Sequence, residues 1–580
     1  MKVLLFSPHA YFTVHALPEA LVAESLLSKG HEVVTINCNG LYGKQCLCMP
    51  LTVINDEKSK QLICKTCKIN RDAINKEFGF RALMLENYLT VDDKVFVENL
   101  VNNLELEKYL ELTIQNIPIA QYALYEVFLN FKLSSAVLPV QLWDPYKIKL
   151  TNCLLTLYAI GRIIEIERPD RITTYNSTYS VNRIVCAVAE QREIPHFELI
   201  SGNGNINRYQ KILINKGIGK WITINQHPYL QEKRKIPLSK TEINNVTLNY
   251  EALFKAKSPW VYSVASQKKS SAKLRSQLGV TPGQKLLLAT MSSADEVVGL
   301  SLAGVDTYAN QSVFSSQLEW IEWLTVFARS NPRYFIVIRV HPREFPNKRD
   351  KIMSENAIKF INFFKKLDKA QNVFVNTPTD DISLYDLLKI TDVLLNRSST
   401  AGLEASLFGV PVVGTGDKLF LFDQKIQTES YSEKEYVSNI AKAVDTGWRF
   451  ENVVLAYRWL NYILSEVEID ISDGYKLKTP YVYRVMNLIV RVMSKMSLPV
   501  SNITPIWHVK GRGKPLKYAD RLIYAIVNDK ETHIGQFMQD NDVVDELTES
   551  QQIREQYKKL MMSISAKDID FMKRIENCVK

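Results

Sequence analysis

Three hydroxyl side chains in a row, Ser398, Ser399 and Thr400, follow the apolar run DVLLN in NRSSTAGLEASLFGVPVV (396–413), with Glu404 about one turn further on. The segment reads as a strand leading into a helix. A helix start carries unpaired N–H groups and a partial positive charge, so hydroxyls there suit an N-cap or a bound phosphate equally well. Two neighbouring loops shift the balance towards phosphate. KLLLAT is followed by MSSADE, with Ser292, Ser293 and Glu296, and YFIVIRV carries Arg339 and runs into HPRE, with His341 and Arg343. In open α/β sheets ligands bind beyond the carboxyl ends of the strands. Hydroxyls, an imidazole and two guanidiniums gathered on one such edge are what a nucleotide phosphate requires.

A second group of residues has metal-ligand spacing. Cys38, Cys46, Cys48, Cys64 and Cys67 form C-x7-C-x-C-x15-C-x2-C. A CxxC pair with a second pair at this separation can close a tetrahedral zinc site, and a segment with little apolar content gains from such a staple. A structural zinc is the preferred reading, ahead of a patch of free thiols and well ahead of an iron–sulfur cluster. Other signals fail. GNGNIN lacks the third glycine of a dinucleotide fingerprint, and the chain has no Walker sequence. Asp-x-Asp occurs only in the charged tail, as DND and DID, so no catalytic metal is expected.

The elements that must position these residues alternate in type. KVLLF, LPEALVAESLLSKG and HEVVTIN read as strand, helix and strand. The helical stretches IAQYALYEVFLNF and TNCLLTLYAIGRIIEIERPD follow, and then RITTYN, SVNRIVCAVAEQREI and PHFELI repeat strand, helix and strand. These make a first α/β domain, 1–262, with the Cys-rich insertion at 38–70. A polar, serine-rich linker, AKSPWVYSVASQKKSSAKLRSQLG, leads into KLLLAT, YFIVIRV, NVFVN, DVLLN and VPVVG, the strands of a second α/β domain over 263–450. Residues 451–580 read as helical, and YVYRVMNLIVRVMSKM within them is both apolar and basic, suited to a membrane surface or to a protein surface.

A chain of 580 residues with 46% hydrophobic content can bury more than one core. Its net charge of +10, from 72 Lys and Arg against 62 Asp and Glu, is spread along the chain, which permits anionic substrates without calling for nucleic acid. The opening MKVLLFSPHAYF is too short in apolar residues for a signal-peptide core, and no later run could span a bilayer. A cytoplasmic protein is expected, and its eight cysteines are then thiols or ligands rather than disulfides.

RVHPRE followed about fifty residues later by NRSSTAGLEASLFGVPVV resembles the HP and SS motifs of bacterial GT-B-fold glycosyltransferases, the group of capsule and lipopolysaccharide biosynthesis proteins that includes sialyl- and Kdo-transferases. KLRSQLGVTPGQKLLLAT is similar to the usual entry to the second domain of that fold. The resemblance implies two Rossmann-like doubly wound domains facing a cleft, with a helical C-terminal extension packing back on the first. It implies a nucleotide-sugar donor (CMP-, UDP- or GDP-linked) whose phosphate meets His341, Ser398 and Ser399 and whose ribose meets Glu404. It also implies a glycan or lipid-linked glycan acceptor, and it leaves room for peripheral contact with the inner membrane and for polysaccharide assembly partners. TTYNSTYSVNRIVCAVAEQREIPHFELISGNG is similar to an Asn-Gly-Arg-like loop and Glu-Gly strand end of these transferases, matching Asn176, Arg183, Glu198 and Gly202 on the acceptor side, with Ser177 replacing the usual glycine. The Asp-(Asp/Glu)-Gly motif of the sialyltransferases is absent from the first domain. By the same resemblance the general base belongs to the first domain. His15, placed in the loop after the first strand, is the first choice, Glu19 the second and His9 a weaker third. The ordinary reading of His15 and Glu19 is a surface histidine and a carboxylate at a helix start. A CDP-alcohol polyol-phosphate transferase and a non-catalytic nucleotide-sugar-binding subunit are the alternative functions.

Overall fold

A computed structural model describes the chain except at residues 51, 53–55, 222–223, 225–226, 258–261, 263, 306–311, 348–350, 367–370, 417–421, 478–505, 509–514 and 538–543. The apolar and basic stretch YVYRVMNLIVRVMSKM lies outside the described residues. Two sheets carry the molecule. The first is built from β1 (Lys2–Phe6), β2 (Glu32–Asn37), β3 (Arg81–Met84), β4 (Arg171–Tyr175), β5 (His196–Ser201) and β6 (Lys211–Lys216). The second is built from β7 (Lys285–Thr290), β8 (Tyr334–Arg339), β9 (Val373–Asn376), β10 (Val393–Asn396) and β11 (Val412–Gly414). Three short strands follow: β12 (Ile469–Asp470), β13 (Tyr475–Leu477) and β14 (Ile506–His508).

The strand orders are β12-β6-β5-β4-β1-β2-β3 and β11-β10-β7-β8-β9. From β3 to β5 the first sheet is parallel, and the second is parallel throughout. Each contains the doubly wound order 3-2-1-4-5, so each has a switch point beside its first strand, where ligands of such sheets bind. Helices cover both faces of a parallel sheet, and strands with continuous apolar runs follow from that double burial. Leu286, Leu287, Leu288, Ile336, Val337, Ile338, Leu394 and Leu395 accordingly have no exposed surface. The register ends these runs on one polar row, because Thr290 pairs with Arg339 and Asn396, and Arg339 with Asn376.

The first helix departs from its expected span. Proline is favoured in the first turn of a helix, which makes Leu17-Pro18 read as a helix start. The helix instead runs from Thr13 to Ser28 with Pro18 inside it. His15 therefore stands in the first helical turn rather than in the preceding loop.

The C-terminal region divides between the two units. Ile469–Asp470 pairs antiparallel with β6, and the helix Ala519–Asn528 buries Leu522, Ile523 and Ile526 in the cluster that holds Leu17 and Leu21. The helices Glu546–Ser565 and Ile569–Cys578 pack instead with Lys240–Phe254, Phe450–Asn461 and the apolar face of the second sheet. The C-terminal region thus packs on residues of 1–262 and of 263–450 alike. Among the described residues no helix is long and apolar enough to cross a membrane.

Candidate functional site

A cavity of about 320 Å³ opens at the switch point of the second sheet. Its floor is the polar row: Thr290 and Met291 at the end of β7, Arg339 to Pro342 at the end of β8, and Ser399, Thr400 and Glu404 after β10. Asn203 and Asn205, from the loop after β5, reach it from the first sheet. Trp221, Tyr250, Tyr262 and Trp459 give it an aromatic wall.

Arg339 and His341 on the floor are held by their neighbours. Arg339 is buried, donating to the Asn376 side chain and, at 3.0 Å, to the Ile382 carbonyl. Burial pulls its guanidinium down to about 10, with Glu404 opposing the shift. His341 caps the short turn Pro342–Glu344, its Nδ1 accepting from the Arg343 N–H at 3.3 Å. Burial, with Arg343 adding to it, lowers the imidazole to about 4, so the ring is neutral. Since Nδ1 accepts, the proton of that neutral ring resides on Nε2, where it can be donated.

Beyond β10 the backbone turns sharply at Ser398 (φ 49°) into the helix Ala401–Phe408. Ser399 Oγ accepts the Ala401 N–H at 3.3 Å, the capping bond expected of an ordinary helix start. Thr400, the N-cap residue, makes no side-chain capping bond and is exposed. Gly402 lies where a Cβ would stand 2.5 Å from the Phe422 ring and 2.8 Å from the Asn396 amide, which is why the helix starts so close to β10. One turn in, Glu404 is buried and pushed up to about 7 by desolvation, against the Tyr385 hydroxyl and Arg339. Its Oε2 has no hydrogen-bond partner among the described residues.

The structure therefore brings Arg339, His341, Ser399, Thr400 and Glu404 together and leaves the other expected donor residues aside. Ser398 is not among the residues lining the cavity. Ser292 exchanges backbone bonds with the Gln317 amide, Ser293 bonds Asp295, and half-exposed Glu296 stands 3.5 Å from Arg343. Arg343 itself is carried out of the cavity by the turn after His341. It grips Asp295 at 2.6 Å, the Tyr262 hydroxyl at 2.9 Å and the Leu129 carbonyl of the first domain at 3.2 Å. Its role is to clamp the two domains, together with Lys132, which bonds the Phe345 and Ile352 carbonyls at 3.1 and 2.7 Å. Asp295 is 2% exposed. Removing one partner of a buried ion pair strands the other charge, so Arg343→Ala is expected to cost about 3–5 kcal/mol of stability. Denaturant unfolding with and without nucleotide checks this: the ligand-free midpoint should fall, and the affinity of the remaining folded protein should not.

On the first sheet, Asn176 (φ 57°) accepts Thr178 N–H at 3.2 Å, and Glu198, fully buried in β5, accepts the Ser177 N–H and hydroxyl at 3.1 and 2.9 Å. Arg183 stacks on Tyr122 and bonds the Ala303 carbonyl at 2.8 Å. These three shape the turn after β4 and the domain contact, and none lines the cavity. Glu19 is likewise withdrawn. It is 2% exposed, accepts from Ser7, lies 3.9 Å from Arg71, and burial raises it to about 7. His15 stays at the carboxyl edge of the first sheet, stacked 4.4 Å from the Tyr175 ring and 6.1 Å from Tyr209. Burial, reinforced by Arg208, lowers it to about 4, below the value near 6.5 of a free imidazole.

Sequence reading passes over the residues that come from afar. Asn203 and Asn205 belong to GNGNIN, whose glycines serve close packing: a Cβ on Gly202 would stand 2.6 Å from Lys211, and one on Gly204 2.9 Å from Leu464. The loop is pinned by Glu468 from the returning segment, which accepts the Gly204 N–H at 2.8 Å and also the Asn203 N–H, and by Asn249, which accepts the Asn205 N–H at 2.9 Å. Trp221 and Trp459 carry no local signal either.

Two Rossmann-like sheets with a shared cleft and a helical C-terminal region define the chain as an α/β protein of GT-B architecture. No protein-family model matches the sequence, and no curated protein matches it. Among solved structures it is similar to a beta Kdo 2,4 transferase, KpsC, of Thermosulfurimonas dismutans (13% identity, 50% of this chain and 80% of that one, TM-score 0.30). It is also similar to a UDP-GlcNAc 2-epimerase of Neisseria meningitidis (12%, 85% and 100%, TM-score 0.26) and to the spinosyn rhamnosyltransferase SpnG (10%, 80% and 96%, TM-score 0.23).

Proposed function

We propose that the protein is a glycosyltransferase that takes a sugar from a nucleotide donor and passes it to a hydroxyl of a growing bacterial surface glycan, capsule or lipopolysaccharide O-antigen. The observation that carries this is the pairing, in one cavity at a switch point, of phosphate-type donors with a buried carboxylate whose Oε2 has no partner. In this reading Arg339, the Nε2–H of His341 and the start of the helix Ala401–Phe408 meet the phosphates. Glu404 accepts the ribose hydroxyls, and the aromatic wall takes the base. The sugar then points to Asn203 and Asn205, and the acceptor approaches over the first sheet, where His15 takes its proton as the bond to the anomeric carbon forms and the bond from that carbon to the phosphate oxygen breaks, the nucleotide leaving with its charge held by Arg339 and His341.

The test is a thermal-shift screen of UDP, GDP, CMP and CDP, followed by turnover with sugars linked to the best binder. A ligand at a hundred times its Kd stabilises by about 2.7 kcal/mol, which such a screen detects. Nucleotide stabilisation and sugar transfer are expected. Transfer of a polyol phosphate from a CDP-alcohol would reassign the reaction, binding without turnover would make the chain a binding subunit, and no binding would overturn the reading.

A further inference from the structure

The carboxyl edge of the first sheet, on the side of β1, β2 and β3, holds a different constellation. The loop after β1 carries His9, the turns after β2 carry Cys38, Cys46 and Cys48, and the helix Glu57–Phe78 carries Cys64 and Cys67. These three segments close on a small cavity of about 40 Å³ lined by His9, Cys38, Cys46, Cys64 and Cys67. A ring nitrogen of His9 and the Sγ atoms of Cys46 and Cys48 all lie within 4.8 Å of one another. Two further sulfurs already accept backbone amides, Cys67 from Ala10 at 3.2 Å and Cys38 from Tyr42 at 3.4 Å. His9 Nε2 is buried without a hydrogen-bond partner among the described residues. All these cysteines are free.

We propose that this is a metal site, taking one zinc ion on His9, Cys46 and Cys48, with the fourth position closed by Cys67 or Cys38. One imidazole and three thiolates suit a tetrahedral zinc centre, and amides directed at sulfur spread the charge that thiolates bring. His9 adds a ligand from outside the Cys-rich segment, one that cysteine spacing cannot reveal.

The packing shows what the ion would do. The turns between β2 and the helix anchor Tyr42 in the large core of the first unit, and beyond it they rest on the small cluster of Cys48, Met49 and Ile63. Polar bonds already run in the same direction: Asn70 donates to the Ala10 carbonyl at 3.1 Å and Arg71 to Ser7 Oγ at 2.6 Å. An ion would lock the insertion to the loop after β1, each bound thiol releasing its proton as it ligates. That loop leads into the helix bearing His15, so the site sets the geometry of the first sheet's edge without touching the donor cavity.

The test is elemental analysis of the full chain purified without chelator under reducing conditions. About one zinc per chain is expected, released to a metallochromic dye as a mercurial titrates the thiols. His9→Ala and Cys46→Ser should each remove it, while Cys153→Ser, a buried cysteine elsewhere, should keep it. Should those variants fail to fold, cobalt substitution of the unaltered protein decides: intense tetrahedral bands with sulfur-to-metal charge transfer support the site. Metal-free protein with all thiols titratable, a Cys46–Cys48 disulfide, or iron with acid-labile sulfide would each overturn it.

Discussion

Replacing His15 by alanine is expected to lower the transfer rate about a hundredfold or more, the usual cost of losing a general base, while nucleotide affinity stays unchanged. The split follows from position, since His15 stands on the first sheet, stacked on Tyr175, and is not among the residues lining the donor cavity. Its depressed pKa sharpens the test. A base works in its neutral form, and His15 is neutral above about 4. The rate limb due to this group should therefore fall on acidification near pH 4 and be flat between pH 6 and 8, where a free imidazole would titrate. Glu19→Gln should leave transfer nearly intact, because Glu19 is buried against Ser7 and Arg71. Near-normal transfer by His15→Ala would remove it from the mechanism.

His341→Ala is expected to weaken nucleotide binding by about ten- to a hundredfold, the equivalent of one charge-assisted hydrogen bond of about 1.5–3 kcal/mol. Glu404→Gln should weaken it through the ribose instead. The two are separable by pH with an uncharged nucleoside as probe. Burial holds Glu404 at about 7, so hydroxyl groups meet a carboxylate above that pH and a carboxylic acid below it. Nucleoside affinity should rise from pH 6 to 8 in the unaltered protein and in His341→Ala, and be level in Glu404→Gln. Titration calorimetry of the three proteins reads both effects. Unchanged affinity in both variants would mean that the cavity does not hold the nucleotide.

Much of this was legible in the order of residues. KLLLAT, NVFVN and DVLLN each end in the polar residue that joins the cavity floor or supports it, because a strand buried on both faces must be apolar until its edge meets solvent. The hydroxyl cluster after β10 and His341 after β8 are local to those edges, so spacing found them. Arg343 was not legible: it sits two residues beyond His341 in the chain, yet the turn between them sends it back to Asp295 and Leu129. Glu19 reads as a carboxylate at a helix start, whereas the helix begins at Thr13 and Glu19 stands buried inside it.

The sequence by itself determined the strands, their alternation with helices, the two units and the loops that carry hydroxyl, imidazole and thiol groups, because burial period and turn chemistry are properties of short segments. The tertiary structure alone decided which of those groups meet. It carried Ser292, Ser293, Glu296 and Arg343 away from the cavity and brought in Asn203, Trp221 and Trp459. It also set His9 beside Cys46 and Cys48. Such meetings depend on how two sheets and a returning C-terminal segment pack together, and that packing is distributed over side chains hundreds of residues apart, where no local pattern can record it.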